Sequence, residues 1–586
     1  MKKTILLANF IFLFSLVFAQ TPGFKWAASV ETDGFSAGHS IAVDASGNVY
    51  TTGSFSGSTT DFDPGPGVTV LSSLSKERDI FISKFDANGK FLWAKQVGSY
   101  YEHDISLGIA LDALNNVYVT GYFYGTVDFD PGPGVYNLQA VGLEYMDNFI
   151  LKLTSNGNFA WAKRIGGKFE DISKSITVDP KGNVYTTGYF FDTVDFNPGA
   201  GVYKLVSQKL KNGSEYTDGF ILKLNTAGDF VWAKRIGGDN VDYCHSITSD
   251  KFGNVYTAGS FTNTVDFDPG PGIVELMGGN PEDAFILKLD SSGYFVWAKS
   301  FAGINHQIGY SIALDAMGNV YTIGMFESKT DFDPGAGTFE LSASGSRTVF
   351  ISKLNSSGNF VWAKDLGEMD FSLITHVNED PLHLWGFTVD KAGNIYRTGA
   401  LEDLLDFDPG SATFNLSSKG GYDIFISKLD SAGKFKWAHR IGEKSDDVGN
   451  AIAVDNKGNI FTTGWFQDSV DFDLGSGKFN LTSYGNHALF INKMGEGTGS
   501  TKEFIKKSNF KIYPNPSSGI LNIDLENLNN SNIKIQIINS IGQIMLEQTT
   551  KSQHSQFDIK DLSNGLFLVK VMDGNSILTF QRIIKQ

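Results

Sequence analysis

The chain has 586 residues, 41% of them apolar and 19% charged, enough for one large domain beside a small one. A net charge of −16 excludes a nucleic-acid binder, which needs a basic footprint. The single cysteine, Cys244, excludes an internal disulfide framework.

Residues 1–19 open with Lys2 and Lys3, run apolar from Ile5 to Phe18 and end on Ala19. A basic start, a short apolar run and a small residue at the cut predict a secretory signal peptide. No cysteine follows the run to take a lipid, and no later stretch is long and apolar enough to span a bilayer as a helix. The mature chain is therefore expected to have no transmembrane segment.

From about Gly23 to Met494 one unit is written seven times, its Trp-Ala pair recurring every 65–75 residues from Trp26 to Trp437. In the third copy, period-two alternation predicts strands at Ser175–Asp179, Asn183–Phe190, Asp218–Leu224 and Phe230–Gly237. The turns Asp-Pro-Lys-Gly-Asn and Asn-Thr-Ala-Gly-Asp join them in hairpins, with Gly at the left-handed position. The first strand opens on a small residue in every copy (Ser40, Gly108, Ser175, Ser246, Ser311, Gly386, Ala451), and two positions later carries only Ala or Thr. One face stripped of bulk suits four-stranded sheets crowding around an axis, which is the β-propeller arrangement. A Trp-Ala strand, Phe24–Val30, precedes the first inner strand, and none follows the last third strand. The N-terminal strand is expected to complete the last sheet and close a ring of seven blades, removing an exposed edge. The strings SIAVDASGNVYTTG, SITVDPKGNVYTTG and AIAVDNKGNIFTTG resemble the SBBP β-propeller repeat, a relative of the NHL-type repeats, over roughly residues 24–495. That resemblance implies a propeller with the Ser-Ile-Ala-Val-Asp segment innermost, and no single activity.

Several residues in the repeat are candidates for chemistry. The Trp of each copy reads as packing area between blades. The Lys of each third strand (Lys84, Lys152, Lys223, Lys288, Lys353, Lys428, Lys493) is expected to pair with carboxylates of its own blade. The Asp-Phe-Asp elements place Asp61 and Asp63, Asp128 and Asp130, Asp195 (with Asn197), Asp266 and Asp268, Asp331 and Asp333, Asp406 and Asp408, and Asp471 and Asp473 two apart. Paired hard oxygens before a Pro-Gly bend can hold Ca²⁺ or build the turn, and no cofactor is otherwise required. Departures from the repeat are the better recognition candidates. One is the position before the small residue, held by His39, Lys174, His245, Tyr310 and Asn450 near a mouth of the ring. Another is the insert at 368–385, with His376, His383 and Trp385, whose histidines and carboxylates have spacing suited to a metal. No nucleophile elbow, zinc-protease helix motif or phosphate loop is present, so no catalytic residue is assigned.

Residues 496–508 form a Gly/Ser/Lys-rich linker, and 509–586 give seven short strand-like runs, the pattern of a small sandwich. YPNPSSGILNI, IINSIGQIM, LSNGLFLVKV and the end RIIKQ resemble the type A C-terminal sorting domain of the Bacteroidetes type IX secretion system. The resemblance implies that 509–586 engages that secretion machinery and that the protein ends up secreted or on the outer-membrane surface. The expected organisation is a signal peptide (1–19), an all-β seven-bladed propeller (20–495), a linker (496–508) and an Ig-like sorting domain (509–586). The expected work is non-enzymatic binding of an extracellular glycan or protein. The alternative is a carbohydrate-active lyase or hydrolase with its site on an axial face.

Overall fold

A computed structural model describes residues 22–586 except 31, 75–76, 101, 143–144, 209–215, 280, 369–385, 476, 484–485, 497–509, 526–532, 540–543 and 574–575. The expected signal peptide, most of the linker, and His376, His383 and Trp385 lie outside the described residues. The chain divides into two compact units, Met1–Glu496 and Gly497–Gln586. Every regular element among the described residues is a strand.

The third repeat shows why these residues form a sheet. Its strands are Asp171–Val178, Val184–Phe191, Thr217–Leu224 and Phe230–Ile236, antiparallel in chain order. The turn after the first strand is built by Asp179. Its Oδ1 accepts the amides of Lys181 and Asn183, and its Oδ2 accepts the Asn183 Nδ2 and the Tyr185 hydroxyl. Gly182, at φ +82°, supplies the left-handed step. The same Asp-Asn-Tyr set recurs at Asp44, Asp112, Asp250, Asp315 and Asp390. Asp179→Ala takes the acceptor from the Lys181 and Asn183 amides and the Asn183 Nδ2, while the Tyr185 hydroxyl keeps the Gly253 carbonyl at 3.2 Å, and is expected to cost about 2–3 kcal/mol in urea unfolding. A change below about 0.5 kcal/mol would show that the turn forms without it.

The first strand starts four residues before the sequence pattern places it, because a β-bulge interrupts the alternation. Pairing with the second strand skips Lys174, between Ser173 and Ser175. The same slip passes over His39, Leu107, His245, Tyr310 and Asn450. Beyond each bulge the small residues do as expected. Ser40, Ser175 and Ser246 each accept, through Oγ, the amide of an Ile on the next sheet's inner strand (Ile109, Ile247 and Ile312), all at 3.3 Å. A Cβ on Gly108 would lie 3.1 Å from the Ile176 side chain.

Among the described residues seven such four-stranded groupings follow one another, and Pro22–Ser29 pairs with Ala488–Glu496 at the edge of the last. Consecutive sheets are tied by two donors meeting one carbonyl. Lys152 Nζ and Trp161 Nε1 of the second sheet reach the Thr226 carbonyl of the third, at 3.1 and 3.2 Å. Lys223 and Trp232 reach Ser291, and Lys353 and Trp362 reach Ser431. Lys493 and Trp26 of the last sheet reach Ala87 of the first. The lysines thereby depart from the expected carboxylate pairing. Each stands over the ring directly across from it on the second strand, a Tyr in six copies and Phe461 for Lys493 (Lys84 over Tyr50 at 4.7 Å, Lys223 over Tyr185 at 5.0 Å, Lys493 over Phe461 at 5.0 Å), and Lys353 also comes within 4.0 Å of a carboxylate, Asp315. The reason is that the turn Asp already has both oxygens occupied by Asn and Tyr. A cation over an aromatic face, with a carbonyl to donate to, is held as well as by a screened ion pair.

Each Asp-Phe-Asp element folds as a short hairpin outside the four strands, for example Thr193–Asp195 with Lys204–Val206. The C-terminal unit has seven described strands in sheets of three and four. Ile512, Leu521, Ile535, Phe557, Val569 and Ile583 are among those buried in its core.

Candidate ligand site at the inner-strand mouth

The inner strands line a cavity of about 480 Å³, within the range that holds small ligands. Five of the sequence-chosen residues (His39, Lys174, His245, Tyr310 and Asn450) are brought together on its wall, joined by Leu107. The bulge is what does this. An extra residue in one strand falls out of the ladder and re-aims its side chain. The chain repeats that backbone device while placing a different side chain on it in nearly every copy. Trp385 holds the corresponding position in the sixth copy and is outside the described residues.

The bulge side chains on the wall are largely buried. His39 is 4% exposed, Asn450 3%, Tyr310 8% and Lys174 9%. His39 Nδ1 lies 2.9 Å from the Ser106 carbonyl, and Asn450 Nδ2 donates to the Gly38 carbonyl at 2.9 Å. Among the described residues the Asn450 Oδ1 and the His245 Nδ1 are buried without a hydrogen-bond partner. Burial pushes His39 down to about 4, against a smaller upward pull from the Ser106 carbonyl, with the Arg78 charge lowering it further. Burial, with help from Lys174, takes His245 to about 3. Burial also lowers Lys174 to about 7, against a weaker upward pull from Glu170. Around Lys174 the surface is aromatic: its Nζ lies 5.3 Å from the Tyr189 ring centre, and Tyr189, Tyr243, His245 and Tyr310 follow one another at ring separations of 5.1, 5.7 and 5.5 Å. Tyr189 and Tyr243 were not singled out from the sequence. Both lie in strands whose period-two pattern gives no sign of which face meets the axis.

The Asp-Phe-Asp pairs sit elsewhere, in the outer hairpins. Asp61 Oδ1 accepts the amides of Asp63 and Thr69, and Asp63 Oδ1 accepts that of Gly65. The pattern repeats through Asp128 and Asp130, Asp266 and Asp268, Asp331 and Asp333, Asp406 and Asp408, and Asp471 and Asp473, and at Asp195 with Asn197 in the second role. These are Asx turns that close the hairpin. Among the described residues no three His, Cys, Asp or Glu side chains gather as metal ligands would.

Residues 511–586 match the family of secretion system C-terminal sorting domains, and residues 160–189, 231–264 and 436–465 match the β-propeller repeat. The uncharacterized WD repeat-containing protein L264 of Acanthamoeba polyphaga mimivirus is 23% identical over 553 residues, 82% of this chain. The chain spans 38% of that relative's length. Among solved structures, PorZ, described as an essential bacterial surface component of the type-IX secretion system of Porphyromonas gingivalis, aligns at 10% identity over 95% of this chain and 100% of that one, with a TM-score of 0.16. A glycoside hydrolase family 32 structure from Bifidobacterium adolescentis aligns at 9% identity over 96% of this chain and 95% of the other, with a TM-score of 0.21. At such TM-scores neither likeness bears on what this chain does.

Proposed function

We propose that this chain, which carries β-propeller repeats and a type IX sorting tail, is a secreted or surface-held scaffold binding an extracellular glycan or protein. In this reading the seven sheets close as a seven-bladed propeller, residues 509–586 fold as an Ig-like sandwich handled by the type IX machinery, and the ligand enters at the inner-strand mouth. One observation carries it. The repeat holds its turn Asp, its Trp and its small inner residues nearly fixed, yet presents His39, Leu107, Lys174, His245, Tyr310 and Asn450 from one equivalent bulge. Six of these bulges face one cavity, and a recognition position on a rigid frame is expected to vary in that way. The Asp-Phe-Asp elements enter as hairpin closers, and the reading requires no cofactor. The test is a glycan array probed with the full chain and with Tyr310→Ala and Asn450→Ala. The expected result is binding to a narrow glycan set, weakened at least about tenfold in both variants with melting temperatures within a few degrees of the parent. Binding that ignores both substitutions would remove the mouth from the proposal.

A further inference from the structure

At the opposite, turn-bearing end of the inner strands lies a second cavity, of about 650 Å³, lined by residues of the fourth, fifth and sixth sheets. Two contacts join these sheets there. The Ala316 amide donates to the Lys391 carbonyl at 3.4 Å, and Lys288 Nζ reaches the Ser356 carbonyl at 3.5 Å. The second is a slackened form of the Lys-Trp clamp. Lys288 is partly exposed where its six equivalents are at most 9% exposed, and the Nε1 of the facing Trp297 is buried without a hydrogen-bond partner among the described residues. Phe252 and Met317 stand on this cavity 64% and 75% exposed, above the partly buried Leu314 and Val389. Their amides donate to the turn aspartates, at 2.9 Å in both cases. Ser46, Lys181 and Lys457 make the same bond in other copies, so the turn itself does not call for an apolar side chain. Lys251, whose Nζ lies 5.1 Å from the Phe252 ring centre, borders the space together with Lys288 and Lys391.

A second set of exposed aliphatic groups sits at the tips of the outer hairpins, where Val68, Val135, Val202 and Ile273 are 77%, 73%, 70% and 77% exposed. The amide after each closes its hairpin on an Asp Oδ1. Thr338, Thr413 and Lys478 hold the tip in the remaining copies with the same closing bond, so a branched aliphatic group is not needed there either. Asp63, Asp130 and Asp268 flank three of the four aliphatic tips. Aliphatic groups held in water by rigid turns, at positions where polar residues serve the fold equally well, mark a contact surface. The acidic tips and the lysines around the cavity are complementary in charge. We propose that an outer-hairpin tip of one molecule docks in the turn-end cavity of a second copy, its Val or Ile lying between Phe252 and Met317. The contact is heterologous, tip to cavity, and builds open chains of molecules. One tip covers far less than the about 1,200 Å² of a stable interface, so each contact is weak and dilute samples hold single chains. The inference is independent of the mouth and adds a second copy of this chain to its partners.

Sedimentation equilibrium of the full chain tests this. The weight-average mass should climb from one chain to at least about two between about 10 and 500 µM in about 50 mM salt. It should climb less in about 500 mM salt, where the charge attraction is screened. Two variants separate the halves of the contact: Phe252→Ser with Met317→Ser removes the cavity's apolar edge, and Val68→Thr, Val135→Thr, Val202→Thr and Ile273→Thr together blunt the tips. Each alone should keep the mass of one chain throughout, with a melting temperature within a few degrees of the parent. Mixed, they should associate again, because the first still carries tips and the second still carries the cavity. If either multiple variant melts early, Phe252→Lys, the residue type found at Lys181 and Lys457, replaces it and should halve the association or more. A parent that stays at one chain, a variant that still associates, or a mixture that does not associate overturns the proposal. Loss in the tip variant alone would place the tips on some other surface and overturn it equally.

Discussion

Removing Pro22–Ser29 is expected to abolish the cooperative melt of the propeller unit and turn a monodisperse sample into an aggregate. A synthetic peptide spanning those residues should restore both. The strand pairs along Ala488–Glu496, where Leu489, Phe490, Ile491 and Met494 are no more than 1% exposed. Without it that strand becomes a long apolar edge with unpaired amides, a ready template for another copy. The loss reaches across to the first sheet as well. Ala28 packs in one cluster with Ile41, Val49 and Phe85, and Trp26 Nε1 donates to the Ala87 carbonyl at 3.2 Å. Gly89, at φ +84°, lies under the Trp26 indole so closely that a Cβ there would come within 2.6 Å of it. Together these exceed what a single core substitution removes, so the expected cost is more than about 5 kcal/mol. Light scattering and calorimetry on the shortened chain decide it. An unchanged melting temperature in a monodisperse sample would mean that the seven sheets need no closure.

Much of the architecture was readable because its chemistry is local. An Asp followed four residues later by Asn and six later by Tyr makes a turn wherever it occurs, and the structure shows the bonds that do so at Asp112, Asp250 and Asp390. The crowding implied by Ser, Gly or Ala opening the inner strand was equally local, since a missing side chain announces a near neighbour. The lysines were misread because their partners are non-local. Lys84 faces Tyr50 across one strand pair and Trp93 across the other, and its carbonyl partner, Ser155, belongs to the next sheet. Fixed Tyr, Lys and Trp at facing positions were the available signal. The mouth was half legible: variation at His39 and Lys174 pointed to it, but a bulge leaves no mark in composition, so the strand was started four residues late. The aromatic arc of Tyr189 and Tyr243 had no mark at all, because a Tyr in a half-buried strand is ordinary.

Lowering the pH from 8 to 5 should raise the melting temperature of the propeller unit by about 3 °C, the reverse of the usual acid response. The cause is a set of buried carboxyls at the starts of first and third strands. Asp79 and Asp104, Asp147 and Asp171, Asp218 and Asp242, and Asp423 and Asp447 are each 0% exposed, and the second of each pair is pushed up by burial first and by the charge of the first as well. Asp79, Asp218 and Asp283 are raised to about 6, Asp104 and Asp242 to about 7, and Asp447 to about 8, in each case chiefly by burial. The unfolded chain takes up these protons only near pH 4. Between pH 8 and pH 5 the native state therefore binds more protons than the unfolded one at these groups, and stability rises as pH falls. The buried bases oppose this: Lys174 at about 7, His39 and His487 at about 4 and His245 at about 3 are charged in the unfolded chain before the native one. They are fewer than the raised carboxyls, so the net sign stays with the acids. Asp79→Asn isolates the effect. Its Oδ2 accepts Leu74 N and Gln96 Nε2 while Oδ1 is buried and unpartnered, as is the Asp104 Oδ2. An amide there is neutral at every pH, as the protonated carboxyl is at low pH, so the variant should gain about 1 kcal/mol at pH 8 and nothing at pH 5. A melting temperature that falls on acidification, with Asp79→Asn destabilising at pH 8, would show these carboxyls to be ionised and satisfied in the native state.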